Sequence, residues 1–218
     1  MFQRKFGYFL LVAVAAVLGL LAGRKLFPGD KAGAPALPAL QTVVAYPQPR
    51  DLPAFSLRQS DGTQLTSGEL NGHWTLVFLG FTSCPDVCPI TLEQLAQAQQ
   101  QWRALPDSTR PRVLFVSVDP ERDTATRIGE YAHGFHPDTL AATADGPALE
   151  DFAKALGFVF MKVPGPHFAE NPNDYTMDHS AGIAVLDPQG RLAGLIRPPL
   201  RPAAIAADMA ELTRADAR

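Results

Sequence analysis

The chain is 218 residues long and carries 19 Lys and Arg against 22 Asp and Glu, a net charge of -3 at pH 7, which excludes the basic surface that nucleic-acid binding requires. With 46% hydrophobic residues it can bury the core of one domain without staples, and some length is left for appendages. Only two cysteines are present, so a closed four-cysteine zinc site cannot be built from this chain.

Residues 6–23 form an uncharged, mostly apolar run bracketed by Arg4-Lys5 and Arg24-Lys25. As a helix these eighteen residues would span about 27 Å, close to the roughly 30 Å hydrocarbon core of a bilayer. No clear small-x-small cleavage site stands before Arg24, so the run reads as an uncleaved signal anchor, residues 1–25, with a cleaved secretory signal as the alternative. Residues 26–50 carry Pro28, Pro35, Pro38, Pro47 and Pro49 among Ala and Gly with no sustained period. They read as an extended tether. The folded domain is then expected over residues 51–218, opening with a short hairpin over 55–65 that turns at Asp61-Gly62.

Residues 74–81, Trp-Thr-Leu-Val-Phe-Leu-Gly-Phe, have the length and β-rich composition of a buried central strand, and 91–100 read as helix. Cys84 and Cys88 lie between them in Thr82-Ser83-Cys84-Pro85-Asp86-Val87-Cys88-Pro89. Pro85 and Pro89 push the residues before them toward extended backbone, and Pro89 suits the first turn of the helix. Cys88 therefore stands at a helix N-terminus, where the dipole favours a thiolate. The C-x3-C spacing allows either a bridge or two ligands of one ion. A bridge closing so short a loop would sit at or below the low end of the usual 2 to 4 kcal/mol, roughly, which gives a purely structural disulfide little motive.

Further along, residues 112–118 read as a second buried strand ended by Asp119-Pro120, and 124–135 as helix. Pro147, Leu149, Phe152, Ala153 and Leu156 mark an amphipathic helix that stops at Gly157. A strand over 158–163 and a loop to about Tyr175 follow. Strands 182–186 and 191–196, joined through Asp187-Pro188-Gln189-Gly190, and a C-terminal helix from Pro202 to about Leu212 complete the chain. This order is compatible with several α/β folds, and the cysteine pair at the end of the first long strand tips the choice to an α/β, thioredoxin-like fold, a central mixed sheet flanked by helices, here with an N-terminal transmembrane helix.

Three stretches carry a resemblance. Phe81-Thr82-Ser83-Cys84-Pro85-Asp86-Val87-Cys88-Pro89 is similar to the C-P-D-V-C-P loop of the SCO/SenC copper chaperones. Asp174-Tyr175-Thr176-Met177-Asp178-His179-Ser180 is similar to that family's Y-x-x-D-H-[ST] segment, and residues 116–124 give a weaker match. The resemblance implies copper ligation by Cys84, Cys88 and His179, with both cysteines also redox-active, and delivery of Cu(I) or Cu(II) to the binuclear copper site on subunit II of cytochrome c oxidase. It implies a periplasmic copper donor, a bacterial inner membrane as the location and a soluble domain in the periplasm. A mitochondrial presequence would call for an Arg- and Ser-rich stretch before the apolar run. A thiol-disulfide reductase that reduces the target's copper-ligand cysteines is the alternative, and it needs both sulfurs without His179. A peroxidase is a third, weaker reading.

The residues support the copper set independently. In the thioredoxin-like topology strand 182–186 neighbours the strand leading into the cysteine loop, so the segment before it lies against the sulfurs. Thioredoxins carry a proline there, and this chain carries His179 instead. Two thiolates and an imidazole suit copper, the sulfurs favouring Cu(I) and the imidazole helping to retain Cu(II), whereas calcium and magnesium do not take sulfur ligands. Zinc with a water as fourth ligand remains chemically open. Asp178 is a candidate to orient the His179 ring, and Met177 a soft atom expected to pack inward. Asp86 reads as a solvated turn residue, His133 and His136 as surface helix residues, and His73 and His167 as solvated. Glu121 and Asp123 read as helix-start charges.

Overall fold

The computed structural model describes residues 39–216, so the expected membrane anchor and the first part of the expected tether lie outside the described residues. Among the described residues no helix is long and apolar enough to cross a membrane. Among the described residues there are ten strands: β1 (Val43–Arg50), β2 (Leu57–Gln59), β3 (Gln64–Leu65), β4 (Thr75–Gly80), β5 (Arg112–Ser117), β6 (Leu140–Thr143), β7 (Phe160–Pro164), β8 (Tyr175–His179), β9 (Ile183–Leu186) and β10 (Leu192–Ile196). Among the same residues five helices accompany them: α1 (Ser67–Leu70), α2 (Val87–Trp102), α3 (Ala125–His133), α4 (Gly146–Leu156) and α5 (Pro202–Asp216).

Eight strands form one mixed sheet in the order β1-β10-β9-β4-β5-β6-β2-β3, and β7 pairs with β8 in a separate two-stranded sheet. At its centre β4 and β5 run parallel with Phe78 opposite Phe115, and β4 runs antiparallel to β9 with Phe78 opposite Ile183. Every residue of β4 is buried, as are five of the six in β5. A strand covered on both faces has no polar side to present, which is why both read as unbroken apolar runs. Helix α2 packs against α5, and the Trp102 indole N–H donates to the Ala206 carbonyl at 3.2 Å. Helix α4 ends at Gly157, whose φ of +77° supplies the left-handed cap expected there.

The tether differs from expectation. Residues 43–50 are strand β1, paired antiparallel to β10. Pro47 and Pro49 hid this strand, because proline cannot donate to a ladder. The sheet tolerates them because β1 is an edge strand whose register shifts between Ala45 and Arg50. The start of β1 is pinned from α5: the buried Asp208 carboxylate accepts from the backbone N–H groups of Gln41, Thr42 and Val43 and from the Thr42 hydroxyl, at 2.7 to 3.0 Å. Burial raises the Asp208 carboxyl pKa, but these donors together outweigh it and hold the group below its ordinary value.

A depressed carboxyl stabilises the fold above its unfolded pKa, near 4, roughly, and that contribution is lost as pH falls through the folded value. Asp208→Ala is therefore expected to lower unfolding stability by about 2 to 4 kcal/mol at pH 7. Denaturant titration should show the gap to wild type narrowing once the pH drops into the acid range. A gap that stays constant down to pH 3, roughly, would remove the carboxylate from this role.

Candidate metal centre

The centre is assembled where β4 ends. Past Gly80 the chain runs through Phe81 and a short loop into α2, whose first turn contains Cys88 and Pro89. A Cβ on Gly80 would stand 2.8 Å from the Phe115 ring and 2.9 Å from Cys88 Sγ, so only glycine lets the sulfur tuck against the end of the strand. Cys88 is fully buried and Cys84 is half-buried at the rim, and both are free thiols. The Cys88 backbone N–H donates to Cys84 Sγ at 3.4 Å, so the helix N-terminus faces the rim sulfur.

His179 arrives from the far end of β8. Its Nε2 lies 3.6 Å from Cys88 Sγ across 91 positions of sequence. Its Nδ1 faces the Ser180 carbonyl at 3.2 Å; a carbonyl only accepts, so Nδ1 carries the proton and the lone pair of Nε2 points at the sulfur. The imidazole stands edge-on to Phe78 and Phe81, with centroids 5.9 and 6.1 Å away, and these rings fix its plane. Burial is the main cause that lowers the His179 pKa, so the ring is the neutral form a metal needs.

The expected thiolate at the helix N-terminus is not what burial allows at Cys88. Desolvation pushes this thiol far above its ordinary value, against the lowering contact from the Phe81 backbone, and the neighbouring Cys84 sulfur raises it further. In the metal-free protein the Cys88 S–H donates to His179 Nε2. A soft ion placed between these atoms replaces that proton.

The structure sorts the remaining candidates. Asp178 is exposed and opposite Met161 in the hairpin, and the ring-orienting acceptor expected of it is the Ser180 carbonyl instead. Met177 packs into the core, as its place in the alternation predicts. Asp86 is exposed and makes no side-chain cap. His133 and His167 are exposed. His136 is not a surface residue: it is 1% exposed, and its Nδ1 accepts from the Asp138 N–H at 3.2 Å. His73 is half-buried between the Arg110 carbonyl and the Arg112 guanidinium. Glu121 is exposed, but Asp123 is no helix-start charge; it is buried beneath the cysteine loop, and Thr124 caps α3. The aromatic pair Phe78 and Phe81 was legible only as core, and nothing in the sequence marked its contact with the imidazole.

With this geometry in hand, the chain matches the SCO1/SenC family over residues 45–214. It is 34% identical over 159 residues, 72% of this chain, to the mitochondrial SCO1 homolog of Homo sapiens, and 35% identical over 136 residues, 62% of this chain, to the mitochondrial SCO2 homolog of Bos taurus. It spans 50% of the length of each of these relatives. Its fold is similar to that of Bradyrhizobium japonicum ScoI with copper bound, at a TM-score of 0.64 and 31% identity, covering 75% of this chain and 98% of that one.

Because the Cys88 proton must leave, the apparent affinity for a soft metal ion is expected to rise with pH by about tenfold per unit for each proton displaced. The lowered His179 pKa keeps a second proton out of the competition near neutrality. Competition titrations at pH 6, 7 and 8, roughly, with parallel measurement of proton release, check this, and a flat profile would contradict it.

Proposed function

The chain belongs to the SCO1/SenC family, and on that premise we propose that it is a copper metallochaperone whose Cys84, Cys88 and His179 capture one copper ion and pass it to the binuclear copper site on subunit II of cytochrome c oxidase. The single observation that carries this reading is the 3.6 Å approach of His179 Nε2 to Cys88 Sγ, with Nδ1 engaged elsewhere. An imidazole aimed at a buried thiol beside a second thiol is a soft, three-donor set of the kind copper prefers. The copper-bound Bradyrhizobium japonicum relative supports copper as the cargo.

The residues divide the work. Buried Cys88 and half-buried His179 make the inner pair, held by Gly80, Phe78 and Phe81. Half-exposed Cys84 is the sulfur a partner can reach. Release proceeds by ligand exchange at that rim: a thiolate of the target bonds the ion as the Cys84 bond breaks, and no electron changes hands. The thiol-disulfide reductase reading leaves the aimed imidazole without a role. We read the core β4-α2-β5 with β9, β10 and α5 as thioredoxin-like. The apolar run at residues 6–23 supports a membrane anchor that holds this domain in the periplasm of a bacterial inner membrane, where a periplasmic donor would load it.

Titration of the reduced protein with copper tests the ligand set. Wild type should bind one equivalent, and Cys84→Ser, Cys88→Ser and His179→Ala should each weaken binding by about tenfold or more. Three variants with wild-type affinity would end the proposal. In cells, full oxidase assembly by His179→Ala would favour the reductase.

A further inference from the structure

We propose that the turn at residues 119–123 is the positioning device of the metal centre: Asp123 holds the loop that carries the cysteines, while Asp119 and Arg122 hold the hairpin that carries His179. This inference rests on the ligand reading given above and extends it to residues that touch no ion.

The first half of the device lies under the cysteine loop. Strand β5 runs parallel to β4, so the turn that follows β5 emerges at the same end of the sheet as the cysteines, and the Val118 N–H donates to the Gly80 carbonyl at 2.9 Å. Asp123, 1% exposed, accepts from the Thr82 N–H at 2.8 Å and the Thr82 hydroxyl at 2.5 Å, and from the Ser117 hydroxyl at 2.6 Å. Thr82 stands two residues before Cys84. Arg127 adds a contact from its Nε to Thr82 Oγ1 at 2.7 Å.

The second half reaches the hairpin. Asp119, 1% exposed, accepts from the Tyr175 hydroxyl at 2.7 Å and from Arg122 Nε at 2.5 Å. Arg122 donates through Nη1 to the carbonyls of Tyr175, at 2.9 Å, and Asn173, at 3.2 Å, and its guanidinium lies 3.6 Å over the Tyr175 ring. Among the described residues the Nη2 of Arg122 is buried without an acceptor, and the guanidinium stacks on the Tyr175 ring instead. Outside the turn's core, Glu121 pairs with Lys162 of β7 at 2.5 Å.

These contacts matter for His179 because, among the described residues, β8 makes no backbone pairing to the main sheet. Among the described residues β8 pairs only with β7. A two-stranded hairpin is marginal by itself and takes its place from what it packs on. Tyr175 opens β8 and His179 closes it, about 13 Å apart along the strand. Clamping Tyr175 therefore sets both the tilt and the advance of the strand whose last residue is the imidazole ligand. The same five-residue turn thus grips both halves of the centre and refines the distance between His179 and the sulfurs that the pairing of β9 with β4 sets.

The test uses the full-length protein loaded with one equivalent of Cu(I) or Cu(II), comparing wild type, Arg122→Ala, Arg122→Lys, Tyr175→Phe, His179→Ala and, as a destabilised control remote from the turn, Asp208→Asn. The readouts are Cu(I) stoichiometry, Cu(II) affinity and the imidazole-nitrogen coupling in the electron paramagnetic resonance of the Cu(II) form. Arg122→Ala should retain Cu(I) on the two sulfurs, lose Cu(II) affinity by about tenfold or more and lose the nitrogen coupling, as His179→Ala does. Arg122→Lys and Tyr175→Phe should fall between it and wild type, and Asp208→Asn should keep the coupling. If His179→Ala loses the coupling while Arg122→Ala and Tyr175→Phe keep it with wild-type Cu(II) affinity, the positioning role is overturned and the ligand reading stands. If His179→Ala keeps the coupling, the ligand reading fails and takes the positioning role with it.

Discussion

Antiparallel pairing of β9 with β4 is the constraint on which the centre depends. Because the two strands run in opposite directions, with Phe78 opposite Ile183, the residues that leave β4 and the residues that lead into β9 gather at one end of the sheet. The first group holds the cysteines and the second holds His179. No local spacing could have joined positions 91 apart. A parallel neighbour in the place of β9 would have sent its leading segment to the opposite end, and the imidazole with it. The contact between Cys88 and His179 is in that sense a property of the sheet, and the loop residues refine what the sheet has already brought together.

Within that frame, burial and metal binding oppose each other at Cys88. A thiol with no solvent access keeps its proton, which is unfavourable for a nucleophile and sets that proton in competition with a metal ion. The proton occupies the line between sulfur and imidazole until a cation with stronger claims replaces it. Neutral His179 keeps the pocket free of a competing positive charge. The helix N-terminus acts on the other sulfur, since the N–H of Cys88 points at Cys84. The two cysteines four residues apart are therefore chemically unequal, one deep and protonated, one at the rim beside a donor.

The elements with a strong local signal were legible in the sequence: β4 and β5 as continuous apolar runs, α4 through Pro147 and Gly157, β9 and β10 around a turn. The site residues were legible through the cysteine loop and through the absence of proline before β9. What escaped has a common physical cause, which is that tertiary pairing overrode local pattern. Strand β1 carries two prolines that only an edge position tolerates. Strand β6, Leu140–Thr143, is too short and alanine-rich to declare itself, and it exists because β5 and β2 flank it. Asp123 and His136 read as surface residues because a single polar side chain does not reveal that donors will meet it inside. For Asp123 those donors are Thr82 and Ser117, one of them 41 positions away.

The asymmetry of the two cysteines bears on how the proposed carrier would bind an ion tightly and still let go. A centre with all three ligands buried would hold its ion behind a barrier, because no incoming donor could bond before an outgoing one had left. A centre with all three exposed would lose its ion to any soft ligand in solution. Here Cys88 is fully buried and His179 stands edge-on to Phe78 and Phe81, while Cys84 and His179 are both half-buried, so Cys84 is the sulfur that borders solvent. On the proposed ligand set, exchange would begin at Cys84 while the bond to buried Cys88 stays closed, and an incoming donor would have to reach that rim sulfur.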